Sequence, residues 1–268
     1  MSSPPTIAVL GAGAMGSALA RGLLGNGWLP GDLILAEVVA ERAAQVEAEL
    51  GCECVSDPAE AVRGRQAVVV AVKPQDIETL LEQVAAAITP DQVVITLAAG
   101  VRIETLENAL GKTPVVRVMP NTPALLGKGI AGLAGGTFAG SSDMNLARMV
   151  MEAVGEVVEL QESDLDAVTA VSGSGPAYVF ALAESMTEAA LRLGLSAEVA
   201  RELVNYTVLG AGEMLVRTGQ DAAHLRRQVA SPGGTTAAAL AVMKEGGFSE
   251  LVIRALEAAN ARSLELGG

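Results

Sequence analysis

Six residues near the start of the chain, Gly11-Ala12-Gly13-Ala14-Met15-Gly16, have the types and spacing to hold a pyrophosphate. Gly11 permits a tight turn, Gly13 lets the backbone approach phosphate oxygens, and Gly16 lets a helix pack closely on a strand. The apolar run Thr6–Leu10 precedes the turn and a helical pattern opens by Ala14, the context such a turn requires. The helix start then offers unpaired N–H groups and the positive end of its dipole. This is the pattern of a nicotinamide-dinucleotide site. Glu37 ends the second apolar run, where a carboxylate accepts from a ribose 2′-hydroxyl and repels a 2′-phosphate. Arg42 is five residues further on, within the next helical pattern, so the local chemistry favours NADH over NADPH.

Further strand ends should face the same ligand. Ala71-Val72-Lys73-Pro74-Gln75 and Ala98-Ala99-Gly100 combine small residues with a proline and leave room for ribose and nicotinamide. Lys73 reads as a cofactor or phosphate neighbour or a strand cap, with a catalytic base as the alternative. In Met119-Pro120-Asn121-Thr122-Pro123, Asn121 is placed to hydrogen-bond the nicotinamide amide or the ribose from a loop stiffened by prolines.

Two later segments present backbone amides. Ser172-Gly173-Ser174-Gly175-Pro176-Ala177-Tyr178 leads into a long helical pattern. Ser231-Pro232-Gly233-Gly234-Thr235-Thr236 precedes another, and its glycines and hydroxyls suit a small carboxylate at a helix N-terminus. Simple N-capping is the competing explanation, but a cap needs a single hydroxyl. No lysine occurs between Lys128 and Lys244, and His224, the only histidine, has polar neighbours that leave it solvated. A hydroxy-acid dehydrogenase needs a group to exchange the alcohol proton. A protonated imine does not, because hydride addition to its carbon completes the reduction.

These residues need a scaffold. Short apolar runs at 6–10, 33–36, 52–55, 67–72, 93–97 and 115–119 alternate with helical patterns at 14–24, 40–50, 76–88 and 103–110. Such alternation predicts an α/β Rossmann domain with a doubly wound, mostly parallel sheet. Two more strands are expected at 129–134 and 157–160 around a helix at 143–154. From residue 164 onward the pattern is helical throughout, at 164–171, 176–193, 197–217, 221–229, 235–245 and 249–266. The expected division is a dinucleotide-binding domain over 1–162 and an all-α domain over 163–268. Val179–Leu193 and Val199–Val216 are apolar around most of their circumference, so they need burial on several sides. Two-fold self-association with interleaved helices is the expected means, with a compact monomeric bundle as the alternative.

A formal net charge of −13 argues against nucleic acid and against an anionic membrane surface. No apolar run reaches the roughly 20 residues that span a bilayer, and residues 7–20 lack the basic start of a signal peptide. The pair Cys52 and Cys54 has no second pair with which to build a metal site, and two reduced thiols suit a cytoplasmic protein.

In order along the chain, Gly11–Gly16, Ala71–Pro74, Ala98–Val101, Met119–Ala124, Ser172–Tyr178 and Val229–Thr236 resemble the blocks of the pyrroline-5-carboxylate reductase family. The resemblance covers essentially the whole chain. It implies a dinucleotide domain followed by a helical dimerisation domain, assembled as a homodimer or, in some members, a decamer of five dimers. It further implies NAD(P)H-dependent reduction of 1-pyrroline-5-carboxylate to L-proline, the last step of proline synthesis. By the same resemblance the substrate carboxylate would rest on Ser231 and on the Gly233, Gly234, Thr235 and Thr236 segment. The catalytic Thr236 hydroxyl would lie near the ring nitrogen, with help from the partner subunit. Many family members favour NADPH and carry Asn, Ser or Arg after the second strand, from which Glu37-Val38-Val39 departs. A β-hydroxyacid dehydrogenase, the nearest rival, would need a lysine in the long helix. A non-catalytic dinucleotide sensor would leave Ser231–Thr236 without a purpose.

Overall fold

A computed structural model describes residues 4–267. They divide into two compact units: the chain up to Ser174 together with Ala259 onward, and Gly175–Ala258.

The first unit is built on an eight-stranded sheet. Its strands are β1 (Ile7–Leu10), β2 (Leu33–Ala36), β3 (Glu53–Val55), β4 (Ala67–Val70), β5 (Val93–Thr96), β6 (Val115–Met119), β7 (Gly129–Gly135) and β8 (Gly155–Glu159), in the order β3-β2-β1-β4-β5-β6-β7-β8. Neighbours run parallel except β6 and β7, which pair antiparallel. The helices are α1 (Ala14–Gly25), α2 (Ala40–Leu50), α3 (Pro58–Val62), α4 (Ile77–Val84), α5 (Ile103–Leu110), α6 (Ser141–Glu152) and α7 (Leu165–Val168). This is the doubly wound, mostly parallel Rossmann architecture that the alternation implies.

Continuous apolar strands fit a sheet covered on both faces. Side chains alternate between two cores: Val9, Leu35, Val69 and Ile95 meet Leu19 and Leu23 of α1, whereas Leu10, Ile34, Val68 and Val94 meet Ile77 and Leu81 of α4. The strand order reverses between β1 and β4, so a crevice opens at their carboxyl ends.

Several elements differ from expectation. α3 was not foreseen; Asp57 caps it by accepting from Ala59 N–H at 2.9 Å. The helix expected over 76–88 starts as a 3-10 turn at Pro74–Asp76 and loosens into turns after Val84, ahead of Pro90. By compactness the chain passes from the first unit to the second after Ser174. Leu165 of α7 is fully buried against the sheet, and the following Thr169–Gly173 segment, a single π-helical turn, stays with it. Residues 1–3 and 268, the outer ends of the expected domains, lie outside the described residues.

The second unit is helical: α8 (Gly175–Arg192), α9 (Ala197–Thr218), α10 (Ala222–Val229), α11 (Thr235–Glu245) and the greater part of α12 (Phe248–Leu266). Ser196 caps α9 through Val199 N–H, and Gly219 ends it in the left-handed conformation at φ 61°. In this unit only Ala200 and Val204 are buried, while Phe180, Leu193, Tyr206, Leu209, Val216 and Leu251 are more than half exposed. The sequence expectation of helices apolar beyond one face holds for α8 and α9.

Candidate functional site

The glycine turn sits at the strand-order reversal. Gly11 N–H donates to Ala36 O at 2.9 Å and Ala71 N–H donates to Leu10 O at 2.8 Å, so the end of β1 is tied to β2 and β4. Gly11 has φ +101°, and a Cβ there would stand 2.9 Å from Ala71 O. A Cβ on Gly16 would collide with the Gly11 carbonyl oxygen. Gly13, the N-cap of α1, faces open space, and no side chain caps the helix. The cradle is therefore bare backbone with a free approach, which fits a pyrophosphate.

A cleft of about 420 Å³ runs from this turn along Glu37, Val38, Val39, Arg42, Val72 and Lys73. A second lobe of about 290 Å³ shares Ala71 and Val72 with the first and continues past Met15, Ala99, Met119 and Asn121 to Gly173. The two lobes thus bring together the expected Gly11, Gly13, Met15, Glu37, Ala71, Val72, Lys73, Ala99 and Asn121. Ala12 and Ala98 are buried beneath the cleft, and Ala14 opens α1. Pro74 begins the turn beyond Lys73. Gly100, at φ +75°, faces Leu266 instead of the cleft. A larger open hollow of about 830 Å³ lies beside Glu104, Glu107 and Thr137. It lies away from the strand-order reversal between β1 and β4, and Glu107 there already accepts from the Thr137 N–H and hydroxyl.

Glu37 is 6 % exposed. One carboxylate oxygen accepts from Val39 N–H at 2.9 Å and the other from Arg42 Nη1 at 3.2 Å. Arg42, at the first turn of α2, therefore bends back into the cleft, which its place within a helical run did not suggest. Asn121 is held by backbone at both ends of its amide: Nδ2 donates to Ser172 O at 3.1 Å, and Oδ1 accepts from Ile130 N–H at 3.0 Å. Burial pushes the Cys52 and Cys54 thiols up, and Glu37 and Glu47 push Cys54 up further, so neither is primed as a nucleophile.

In the second unit, Gly233 turns at φ +71° and Gly234 is the N-cap of α11. Gly234 N–H donates to Ser231 O at 3.0 Å, and a Cβ on Gly234 would stand 2.5 Å from Ser231 Oγ. No side chain caps α11, so the hydroxyls of this segment are not serving as its N-cap. Ser231, Gly233 and Thr235 are exposed, and Thr236 is half-buried. His224 is exposed beside Gln228.

Residues 162–266 match the family model described as pyrroline-5-carboxylate reductase dimerisation, and residues 6–100 match one described as NADP oxidoreductase, coenzyme F420-dependent. The pyrroline-5-carboxylate reductase of Pseudomonas aeruginosa is 42 % identical over 98 % of this chain and 97 % of its own length. The chain belongs to the pyrroline-5-carboxylate reductase family. The family member from Mycobacterium leprae is also 42 % identical, over 99 % of this chain and 98 % of its own length. A solved reductase from Coxiella burnetii superposes with a TM-score of 0.95 at 36 % identity, covering 99 % of this chain and all of that one. The Plasmodium falciparum structure, with NADP bound, gives 0.87 at 30 %, with both chains fully covered.

Membership accounts for the exposed apolar helices, since the half that carries them is a dimerisation domain. Light scattering behind a sizing column is expected to show at least a dimer. Leu203→Glu with Leu209→Glu, on exposed positions of α9, should release monomer. Each buried leucine contributes about 1.5–3 kcal/mol, and a buried unpaired charge adds a further penalty. An unchanged mass for that variant would show that α9 is not the dimer contact.

Proposed function

We propose that this protein reduces 1-pyrroline-5-carboxylate to L-proline with a reduced nicotinamide dinucleotide, and that NADH is the preferred donor. The observation that carries the reading is a chain of this family with two uncapped, glycine-started helices, α1 and α11. One suits a pyrophosphate and the other a carboxylate. The cofactor, when bound, supplies a hydride. Gly11, Gly13 and the start of α1 hold its phosphates, Glu37 accepts from its ribose, and Lys73 lies beside it at the end of β4.

In this reading the Ser231 hydroxyl and the N–H groups of Thr235 and Thr236 hold the substrate carboxylate, with Gly233 supplying the turn and Gly234 closing it through its N–H to Ser231 O. The Thr236 hydroxyl accepts from the protonated ring nitrogen and orients the C=N carbon toward the donor. Hydride addition to that carbon yields the amine directly, which agrees with a helical unit whose one histidine, His224, is solvent-exposed. Two free thiols suit a reducing, cytoplasmic setting.

The test is the loss of reduced-nicotinamide absorbance when protein, pyrroline-5-carboxylate and either NADH or NADPH are mixed. No oxidation with either donor would defeat the proposal. Thr236→Ala should lose a hydrogen bond to a charged group, about 1.5–3 kcal/mol, so kcat/KM falls about ten- to hundredfold. Its NADH affinity should be unchanged. Full activity in that variant would remove Thr236 from the reaction.

A further inference from the structure

The second lobe of the cleft ends on Gly173, the last residue of a π-helical turn between α7 and α8. The turn closes with Ser174 N–H donating to Thr169 O at 2.8 Å, an i to i−5 bond. Such turns are uncommon and concentrate at functional sites. In a continuing α-helix the Ser172 carbonyl would accept from the residue four positions on, which is Pro176 and has no N–H. Asn121 Nδ2 supplies the missing donor at 3.1 Å. Its Oδ1 is held in turn by Ile130 N–H, so the amide cannot swing away without breaking a second bond. The Met119 methyl lies against the bare backbone of Gly173: a Cβ there would stand 2.5 Å from Met119 Cε.

We infer that Asn121 is a positioning residue: it holds the Ser172 carbonyl, and through it the Gly173 wall of the cleft, in place of the helical N–H that Pro176 lacks. This rests on the proposal that the cleft receives the nicotinamide dinucleotide. Asn121 acts on the reaction through the wall and not by contact with the ring.

The test is Asn121→Ala in the full chain, with kcat, the NADH dissociation constant and amide exchange over residues 172–178 measured separately. Misplacing one wall of a site should lower kcat about tenfold to hundredfold. NADH affinity should stay within about threefold, because the phosphates and adenosine ribose are held elsewhere. Exchange over 172–178 should speed up. Pro176→Ala restores an N–H four residues after Ser172, so the double variant should recover much of the lost kcat and slow the exchange again. A residue that touched the ring directly would not be rescued this way. Asn121→Asp covers the case in which the alanine variant misfolds. It keeps an acceptor for Ile130 N–H, loses the donor to Ser172 and sets a carboxylate oxygen against that carbonyl, so it should show a kcat loss at least as large.

Unchanged kcat and exchange in either single variant overturns the inference, as does failure of Pro176→Ala to rescue. The exchange readout needs no turnover. A wild-type protein inactive on pyrroline-5-carboxylate would therefore count against the proposed function, while exchange would still decide the role of Asn121.

Discussion

Gly16→Ala is expected to abolish NADH binding and to lower the melting temperature sharply. The added methyl would run into the Gly11 carbonyl oxygen and lie 3.2 Å from Val9 Cγ1. Neither neighbour can give way. Gly11 is tied through its N–H to Ala36 O, Leu10 O is tied to Ala71 N–H, and Val9 is fully buried in the sheet. Overpacking of this kind costs about 1–3 kcal/mol where the core can relax, and more where it cannot. Even 3 kcal/mol set against the bound state corresponds to roughly a hundredfold in affinity. Gly13→Ala is the informative control. Position 13 has an ordinary φ of −70° and open space around its Cβ, so the fold should tolerate the methyl. In the proposed reading phosphate oxygens approach through that open space, so NADH should still bind more weakly. Calorimetric titration with NADH and a thermal melt on both variants separate the cases. Normal NADH binding by Gly16→Ala would show that α1 is not held against the turn as described. Normal binding by Gly13→Ala would move the pyrophosphate elsewhere.

Much of this site could be read from the sequence, because it depends on residues close together in the chain. The glycine turn follows β1 directly, and Glu37 follows β2, so a strand reading places both at the crevice. The strands were legible because apolar runs of four or five residues between turn signals admit few alternatives. What escaped depends on rotation about an element or on partners far away in the chain. A helical reading put Arg42 in α2 but could not show that its first turn aims the guanidinium back at Glu37. The expected contact of Asn121 with the cofactor came from its place after β6, and nothing local reveals that its amide meets Ser172 and Ile130. The π turn is divided by a sequence reading, which gives 169–171 to a helix and Ser172-Gly173 to an amide-presenting loop, because its i to i−5 bond has no signature in composition. The end of α12 was equally hidden. Ser263 Oγ donates to Asp166 at 2.6 Å and Arg102 Nε donates to Gly267 O at 2.9 Å, a pairing across 165 residues that no periodicity encodes.

The same distinction between local and distant determinants sets the cofactor question, where the expected result is a preference for NADH that Glu37→Ser reverses. Glu37 is nearly buried, points into the cleft, and keeps its carboxylate ordered through Val39 N–H and Arg42. A ribose 2′-hydroxyl can donate to it. A 2′-phosphate would bring like charge against it, and two unit charges about 4 Å apart repel by roughly 4 kcal/mol at an effective dielectric near 20. The Arg42 cation 3.2 Å away offsets part of that. A net 1.5–3 kcal/mol remains, which corresponds to about ten- to hundredfold in kcat/KM for NADH over NADPH. Serine at position 37 removes the repulsion and releases Arg42, whose side chain is half exposed and free to turn. A guanidinium then meets the 2′-phosphate with charge-assisted hydrogen bonds. NADPH should become the better donor, and its advantage should fade with added salt because the new contact lies near solvent. Steady-state rates with both donors, for both proteins and at two ionic strengths, decide the matter. If the wild type uses NADPH as well as NADH, Arg42 already outweighs Glu37. The preference would then belong to the arginine at the start of α2 and not to the acid at the end of β2.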